Sequence, residues 1–110
     1  MYKQDWTEFE VHSLAYGILR KNLFPGYLVR GEHRFSGGGI VPDCVPDISV
    51  WKAFPDKDPA LRFVIEVKKS PNGHGTAQEL KYEEALGVPC VYIRGKDEAY
   101  KVMSKVSHLL

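Results

Sequence analysis

The chain has 110 residues, a formal net charge of +1, 44% hydrophobic residues and two cysteines. This composition suits one domain over residues 1–110 and excludes a disordered chain, a disulfide-rich secreted domain and a strongly cationic tail, although a local basic patch stays open. No apolar run reaches the roughly 20 residues of a membrane span, and no signal peptide is recognisable. We therefore expect an intracellular protein, cytoplasmic or nuclear, with no membrane partner.

The predicted elements alternate between helical spacing of apolar residues and short runs of β-branched and aromatic residues, separated by glycine and proline. In chain order they are a helix over about residues 6–22, strands over 27–35, 47–54 and 61–68, a helix over 76–86, a strand over 90–93, and a last helix capped by Asp97. The order αβββαβα predicts an α/β fold in which a β-meander, a helix and a further strand form a mixed central sheet flanked by helices.

Both terminal helices leave alternatives open. The first helix, whose apolar positions include Trp6, Leu14 and Ile18, begins beside two candidate capping boxes, Asp5 with Glu8 and Thr7 with Glu10. The last helix carries an apolar stripe that belongs either to the core or to a dimer surface.

The third strand carries two charges in an otherwise apolar run. Because side chains alternate along a strand, Glu66 and Lys68 lie on one face of it. Buried charges are costly unless they are paired or bind an ion. The alternative is an ordinary Glu–Lys pair at an exposed strand end.

The second strand offers a second carboxylate. Asp47 follows Pro46 and opens its strand, and a short turn predicts that this strand pairs with the third as a hairpin. Asp47 would then lie near Glu66, in the register that brings them opposite each other. Asp43 repeats the Pro-Asp dipeptide but lacks a β-rich run after it, so a turn is its expected role.

Two adjacent carboxylates need neutralisation. At about 4 Å they repel by about 4 kcal/mol at an effective dielectric near 20. A proton or a cation removes that repulsion, and hard oxygen ligands favour Mg²⁺ or Mn²⁺. With Lys68 on the same face, the set has the parts for metal-assisted phosphodiester hydrolysis.

These motifs resemble the PD-(D/E)xK nuclease superfamily. Pro46-Asp47 is followed by Glu66-Val67-Lys68, and the order αβββαβ resembles that superfamily's restriction-endonuclease-like core over about residues 6–93. Gln78 and Tyr82 match the Gln-x-x-x-Tyr signature of RecB-like members. The chain looks most like small Holliday-junction resolvases, VRR-type nuclease domains and the nuclease domain of type I restriction motor subunits.

The resemblance implies a role for each matching residue. Asp47, Glu66 and the Val67 carbonyl would ligate Mg²⁺ or Mn²⁺, and Lys68 would orient or deprotonate the attacking water. Gln78 would steady the site or the nucleic-acid backbone. A first-helix glutamate also faces the site in some branches, which makes Glu10 a further candidate ligand; its alternative is the capping box.

Nucleic-acid contacts are expected from a basic cluster before the glycine-rich stretch and from residues beside the site. The candidates are Arg30, Arg34, Lys69 and Tyr82, with Arg20, Lys21 and His33 in the same cluster. The alternatives are scattered solvated cations and, for Gln78 and Tyr82, a solvated side chain and a core-edge ring.

The leading hypothesis is a Mg²⁺-dependent DNA endonuclease. Because a chain of this size has little surface with which to hold a duplex, we expect a homodimer, with the last helix as its contact, or a partner that supplies recognition. The alternative function is a non-catalytic nucleic-acid-binding or protein-interaction domain that retains the nuclease fold.

Overall fold

The computed structural model describes residues 6–33, 35, 45–68 and 76–110, with the backbone alone at residues 76–80. The glycine-rich connection predicted at 36–39, the loop predicted at 70–75 and Asp43 lie outside the described residues. The element order follows the prediction: each predicted helix and strand has a counterpart at its expected place in the chain.

The first helix, α1 (Glu8–Leu23), begins at the Thr7–Glu10 capping box. The Glu10 N–H donates to the Thr7 hydroxyl at 3.1 Å, and the Thr7 N–H donates to the Glu10 carboxylate at 3.0 Å. The buried residues of this helix are spaced four apart in the chain: Val11, Ala15, Leu19 and Leu23. The apolar residues of the prediction, Trp6, Leu14 and Ile18, are half-buried, and the last two precede fully buried residues by one position.

Four strands form one mixed sheet in the order β1-β2-β3-β4, flanked by helices. Their bounds are Tyr27–Gly31 (β1), Ile48–Lys52 (β2), Ala60–Lys68 (β3) and Cys90–Arg94 (β4). The first three strands pair antiparallel as the predicted meander. Helix α2 (Thr76–Leu86) then carries the chain across, so that β4 pairs parallel with β3.

Strand β1 is shorter than predicted. It ends at Gly31, and Glu32 follows with a φ of 46°, in the left-handed region. This backbone conformation interrupts the extended run, so the prediction of a strand as far as Phe35 is wrong at Glu32 and His33. The Glu32 N–H donates instead to the Asp47 carbonyl at 2.9 Å.

A register shift between β2 and β3 adjusts which side chains share a face. Val50 pairs with Phe63, but Trp51 pairs with Leu61, which leaves Arg62 as an extra residue on β3. Leu61 therefore joins Val64 on one face of the sheet, while Phe63 points to the other.

The two faces of the sheet are covered by different helices. One face packs against α1 and the C-terminal helices through a large apolar core that includes Ile48, Val50, Phe63, Ile65 and Val67. The other face has a smaller apolar cluster under α2, formed by Val64, Tyr82 and Cys90. The second face also holds the buried polar residues Ser49 and Glu66.

The C-terminal segment is not the single helix expected from an Asp97 cap. It consists of α3 (Gly95–Tyr100), α4 (Val102–Val106) and a 3-10 turn (Ser107–Leu109). The first turn is held by Glu98, whose carboxylate accepts the Arg94 N–H at 2.8 Å, and Lys101 separates the two helices.

The apolar stripe of this segment belongs to the core. Ala99, Val102 and Val106 are fully buried in the cluster around α1. Of the two alternatives for the stripe, core packing is therefore what the structure shows for these three residues, and a dimer contact through the last helix stays a prediction. Within the described residues, none of the helices has the length and apolar character needed to cross a membrane.

Candidate active site

The hairpin register brings Asp47 and Glu66 together, as predicted. Ile48 pairs with Ile65, so Asp47, one residue before β2, lies across from Glu66. The Asp47 N–H donates to Glu66 Oε1 at 3.2 Å, and Asp47 Oδ2 accepts the Val67 N–H at 2.7 Å. The two acidic residues are thus joined through reciprocal backbone and side-chain contacts at the start of β2 and the end of β3.

Glu66 is an unusual carboxyl group, because only 4% of the residue is exposed. Burial raises its pKa to about 8, and the neighbouring charge of Asp47 adds to the rise. The Asp47 N–H and the Lys68 charge act in the opposite direction but do not offset it. The raised pKa favours the protonated form of Glu66, and a cation between the two carboxyls would replace that proton.

Lys68 completes the group on this face of the sheet. It stands two residues beyond Glu66 at the end of β3, where it is half-buried rather than covered. Its charge lowers the pKa of Glu66, in keeping with an ammonium close to the carboxyl. The face thus presents two carboxyls and one cation at the end of β3.

The position of Asp47 is further set by α1 and by the residue after β1. The carbonyl oxygen of Asp47 lies 3.0 Å from His12 Nε2 and also accepts the Glu32 N–H. Because a carbonyl only accepts, His12 is the donor, with its proton on Nε2. The sequence reasoning missed His12, which lies 35 residues from Asp47 with no motif to join them.

Two predicted site residues have structural roles. Tyr82 is only 7% exposed and packs with Val64 and Cys90, as in the core-edge alternative, and its contact with nucleic acid stays a prediction. Glu10 is exposed, and its carboxylate closes the capping box of α1. The metal-ligand role for Glu10 is therefore corrected to its alternative.

The predicted basic residues are only partly described. Arg30 is exposed on β1, with its guanidinium carbon 5.3 Å from the centre of the Trp51 ring. Arg20 and Arg30 both line a cavity of about 190 Å³ at the outer edge of β1, so the fold brings these two cations together. Arg34 and Lys69 lie outside the described residues. Gln78 lies on α2 as predicted, and its side chain is also outside them.

The donor set suits a small, hard cation. In the described part of the chain there is no group of three or more His, Cys, Asp or Glu side chains arranged around one point, but Asp47 and Glu66 form a close carboxylate pair. Mg²⁺ commonly binds proteins through one or two carboxylates and keeps several waters. The Val67 N–H points to Asp47, so the Val67 carbonyl lies on the same side of the strand.

Comparisons with protein-family models, curated proteins and solved structures give no match to this chain.

Proposed function

We propose that this protein is a Mg²⁺- or Mn²⁺-dependent DNA endonuclease with a restriction-endonuclease-like core of the PD-(D/E)xK type. The observation that carries the proposal is the buried Asp47–Glu66 pair, with Lys68 on the same face of the sheet. A buried carboxyl with a strongly raised pKa beside a second carboxyl is costly to keep, which is why such pairs are typical of functional sites.

In this proposal Asp47, Glu66 and the Val67 carbonyl hold the cation. When bound, the cation neutralises the scissile phosphate and lowers the pKa of a coordinated water. The Val67 N–H fixes one oxygen of Asp47, and the Asp47 N–H fixes one oxygen of Glu66, so both carboxyls are oriented before a ligand arrives. Such preorganisation avoids the cost of ordering the groups during the reaction.

Lys68 acts on the reacting groups themselves. Its ammonium would orient the attacking water or hold a non-bridging oxygen of the phosphate. The water oxygen forms a bond to phosphorus while the bond to the 3′ oxygen breaks, and the proton lost by the water balances the one gained by the leaving oxygen. The products then carry a 5′-phosphate and a 3′-hydroxyl, and Gln78 steadies the nucleic-acid backbone nearby.

A panel of DNA substrates tests the function. Supercoiled plasmid, single strand, flap and four-way junction are incubated with Mg²⁺ or Mn²⁺ and with the Asp47→Asn, Glu66→Gln or Lys68→Ala variant. Each variant is expected to lower the cleavage rate at least about a hundredfold, because it removes a metal ligand or the Lys68 ammonium that orients the attacking water. Asp58→Asn and Lys57→Gln, exposed in the turn at the opposite end of the β2–β3 hairpin, are the matched controls.

Calorimetric titration with Mn²⁺ separates the remaining outcomes. Metal binding that is lost in Glu66→Gln without any cleavage would mean that a partner subunit, a second copy of the chain or another substrate is needed. No cleavage and no metal binding would contradict the nuclease. The non-catalytic nucleic-acid-binding or protein-interaction domain would then be the better function.

A further inference from the structure

A groove follows the outer edge of β4, beside the proposed active site. It has a volume of about 460 Å³ and is lined by Cys90, Val91, Tyr92, Arg94, Lys105 and His108. Strand β4 is the last strand of the sheet, so the groove extends from the α4 side around this edge toward the face that carries Glu66.

Strand pairing places the groove directly next to the candidate catalytic residues. Strands β3 and β4 are parallel, with Tyr92 beside Glu66 and Arg94 beside Lys68. Paired residues of neighbouring strands point to the same face of a sheet, so Arg94 shares a face with the carboxyl pair. Its guanidinium carbon lies 4.8 Å from the centre of the Tyr92 ring. A ligand across the catalytic face therefore reaches Arg94 one strand spacing away from Lys68.

The charge of the groove favours an anion. Two of its lining residues, Arg94 and Lys105, are cationic. Among the described residues, the acid that contacts them is Glu98, whose Oε1 accepts the Arg94 backbone N–H at 2.8 Å and lies 3.4 Å from Lys105 Nζ. Glu98 thus contacts the backbone of β4 and the Lys105 ammonium, and the Arg94 guanidinium lies over the Tyr92 ring, on the face that carries Glu66.

We propose that this β4 groove binds the sugar–phosphate backbone of DNA next to the scissile phosphate, with Arg94 as the main phosphate ligand and Lys105 as a second one. The proposal rests on the proposed function, because it assigns the groove to the same substrate. Arginine suits the role because its forked donors match two phosphate oxygens at once. Such contacts position the backbone and are independent of base sequence.

Fluorescence anisotropy tests the groove without any cleavage. Labelled single-stranded and duplex oligonucleotides are titrated with protein in the presence of EDTA. The parent protein carries Glu66→Gln, and each test variant carries Arg94→Gln, Arg94→Lys or Lys105→Gln in addition. Arg94→Gln is expected to weaken binding about tenfold, the loss of one charge-assisted contact, and Arg94→Lys to recover only part of it. Each charge-removing variant should lower the salt dependence, the slope of log K against log[salt], by about 0.7–0.9.

The matched control is Lys57→Gln, which removes an exposed cation at the far end of the hairpin and should change neither affinity nor slope. Circular dichroism and thermal melts confirm that each variant is folded. Wild-type affinity and slope in Arg94→Gln and Lys105→Gln would overturn the proposal, as would the absence of DNA binding by the parent protein. It would also fall if sedimentation showed that these variants change self-association along β4 instead. If the groove variants lose binding but the wild-type protein never cuts, the groove stands and the nuclease falls.

Discussion

The two faces of the sheet are built from the same strands but differ in composition: one face is apolar, and the other holds buried polar groups. On the α1 face, Ile48 and Val50 of β2 and Phe63, Ile65 and Val67 of β3 are apolar and fully buried. On the α2 face, the same strands present the buried residues Ser49 and Glu66, with Lys68 at the end. Among the described residues, no buried polar side-chain atom is left without a hydrogen-bond partner. Stability is thus concentrated on one face, and the costly groups are concentrated on the other.

The largest expected effect comes from damaging each face in turn. Phe63→Ala empties a fully buried position on the α1 face and should lower the free energy of unfolding by about 3–5 kcal/mol. Glu66→Gln keeps an oxygen for the Asp47 N–H and removes a buried ionisable group, so it should abolish cleavage without lowering stability at pH 8. Urea denaturation at pH 8 measures the free energy of unfolding of both variants. A loss for Glu66→Gln as large as that for Phe63→Ala would make Glu66 a structural residue.

The pH dependence of stability distinguishes the faces next, because among the described residues the buried acid with a shifted pKa, Glu66, lies on the α2 face. In the folded protein the pKa of Glu66 is raised to about 8 from the ordinary value of 4.5, so the folded state binds more protons between these values. This contribution to stability is fully present below about pH 4.5 and is lost as pH rises through 8, by a few kcal/mol.

Denaturation at pH 5 and pH 8, without divalent cations, measures this loss against Glu66→Gln as the control. The wild-type protein should lose more stability than the variant, and Mn²⁺ at pH 8 should restore it. An identical pH dependence in the two proteins would contradict the raised pKa. Cleavage should rise with pH as the carboxyls ionise and persist into mildly alkaline buffer.

A smaller effect is expected from His12, the residue of α1 that contacts the Asp47 carbonyl. His12→Ala removes the donor to the Asp47 carbonyl and should lower Mn²⁺ affinity about tenfold, the lower range for outer partners of metal ligands. His12→Gln, whose amide can still donate, should recover most of the affinity. Ser13→Ala, exposed next in the chain, is the control for calorimetric titration. Equal affinity in His12→Ala and the wild-type protein would show that this contact does not position Asp47.

The smallest effect tests whether the start of α1 takes part in the site. Thr7→Ala removes the N-cap and should cost about 1 kcal/mol of unfolding free energy. Glu10→Gln should stay within about 0.5 kcal/mol of the wild-type protein, because glutamine also closes a capping box. Neither change should alter Mn²⁺ affinity. Loss of metal binding in Glu10→Gln would return Glu10 to the ligand set.

Prediction from sequence succeeded where local signals were strong. The bounds of α2, Thr76–Leu86, agree with those expected from the glycine and proline that follow, and Gly87 has the positive φ of 68° expected at such an end. The alternation along 61–68 correctly put Glu66 and Lys68 on one face. The hairpin between β2 and β3 was predicted from its short turn, and with it the meeting of Asp47 and Glu66.

Prediction failed where long-range packing overrides local pattern. The buried stripe of α1 is set by the sheet beneath it, which is why Val11 and Ala15 are covered while Trp6 is half-exposed. The last helix breaks near Lys101 although its apolar spacing continues. The environment of Tyr82, which carries the residue type of a family signature, is also set by packing, because the cluster with Val64 and Cys90 buries its ring.

The amino-acid sequence by itself determined the order of elements, the two-sided character of β3 and the presence of two acids and a lysine at strand ends, because these follow from residue spacing along one element. Only the tertiary structure decided the environment of those groups. Burial by neighbouring strands raises the pKa of Glu66, α1 brings His12 to the Asp47 carbonyl, and the parallel pairing of β3 with β4 sets Arg94 beside Lys68. Each depends on residues distant in the chain, where local spacing carries no information about contact.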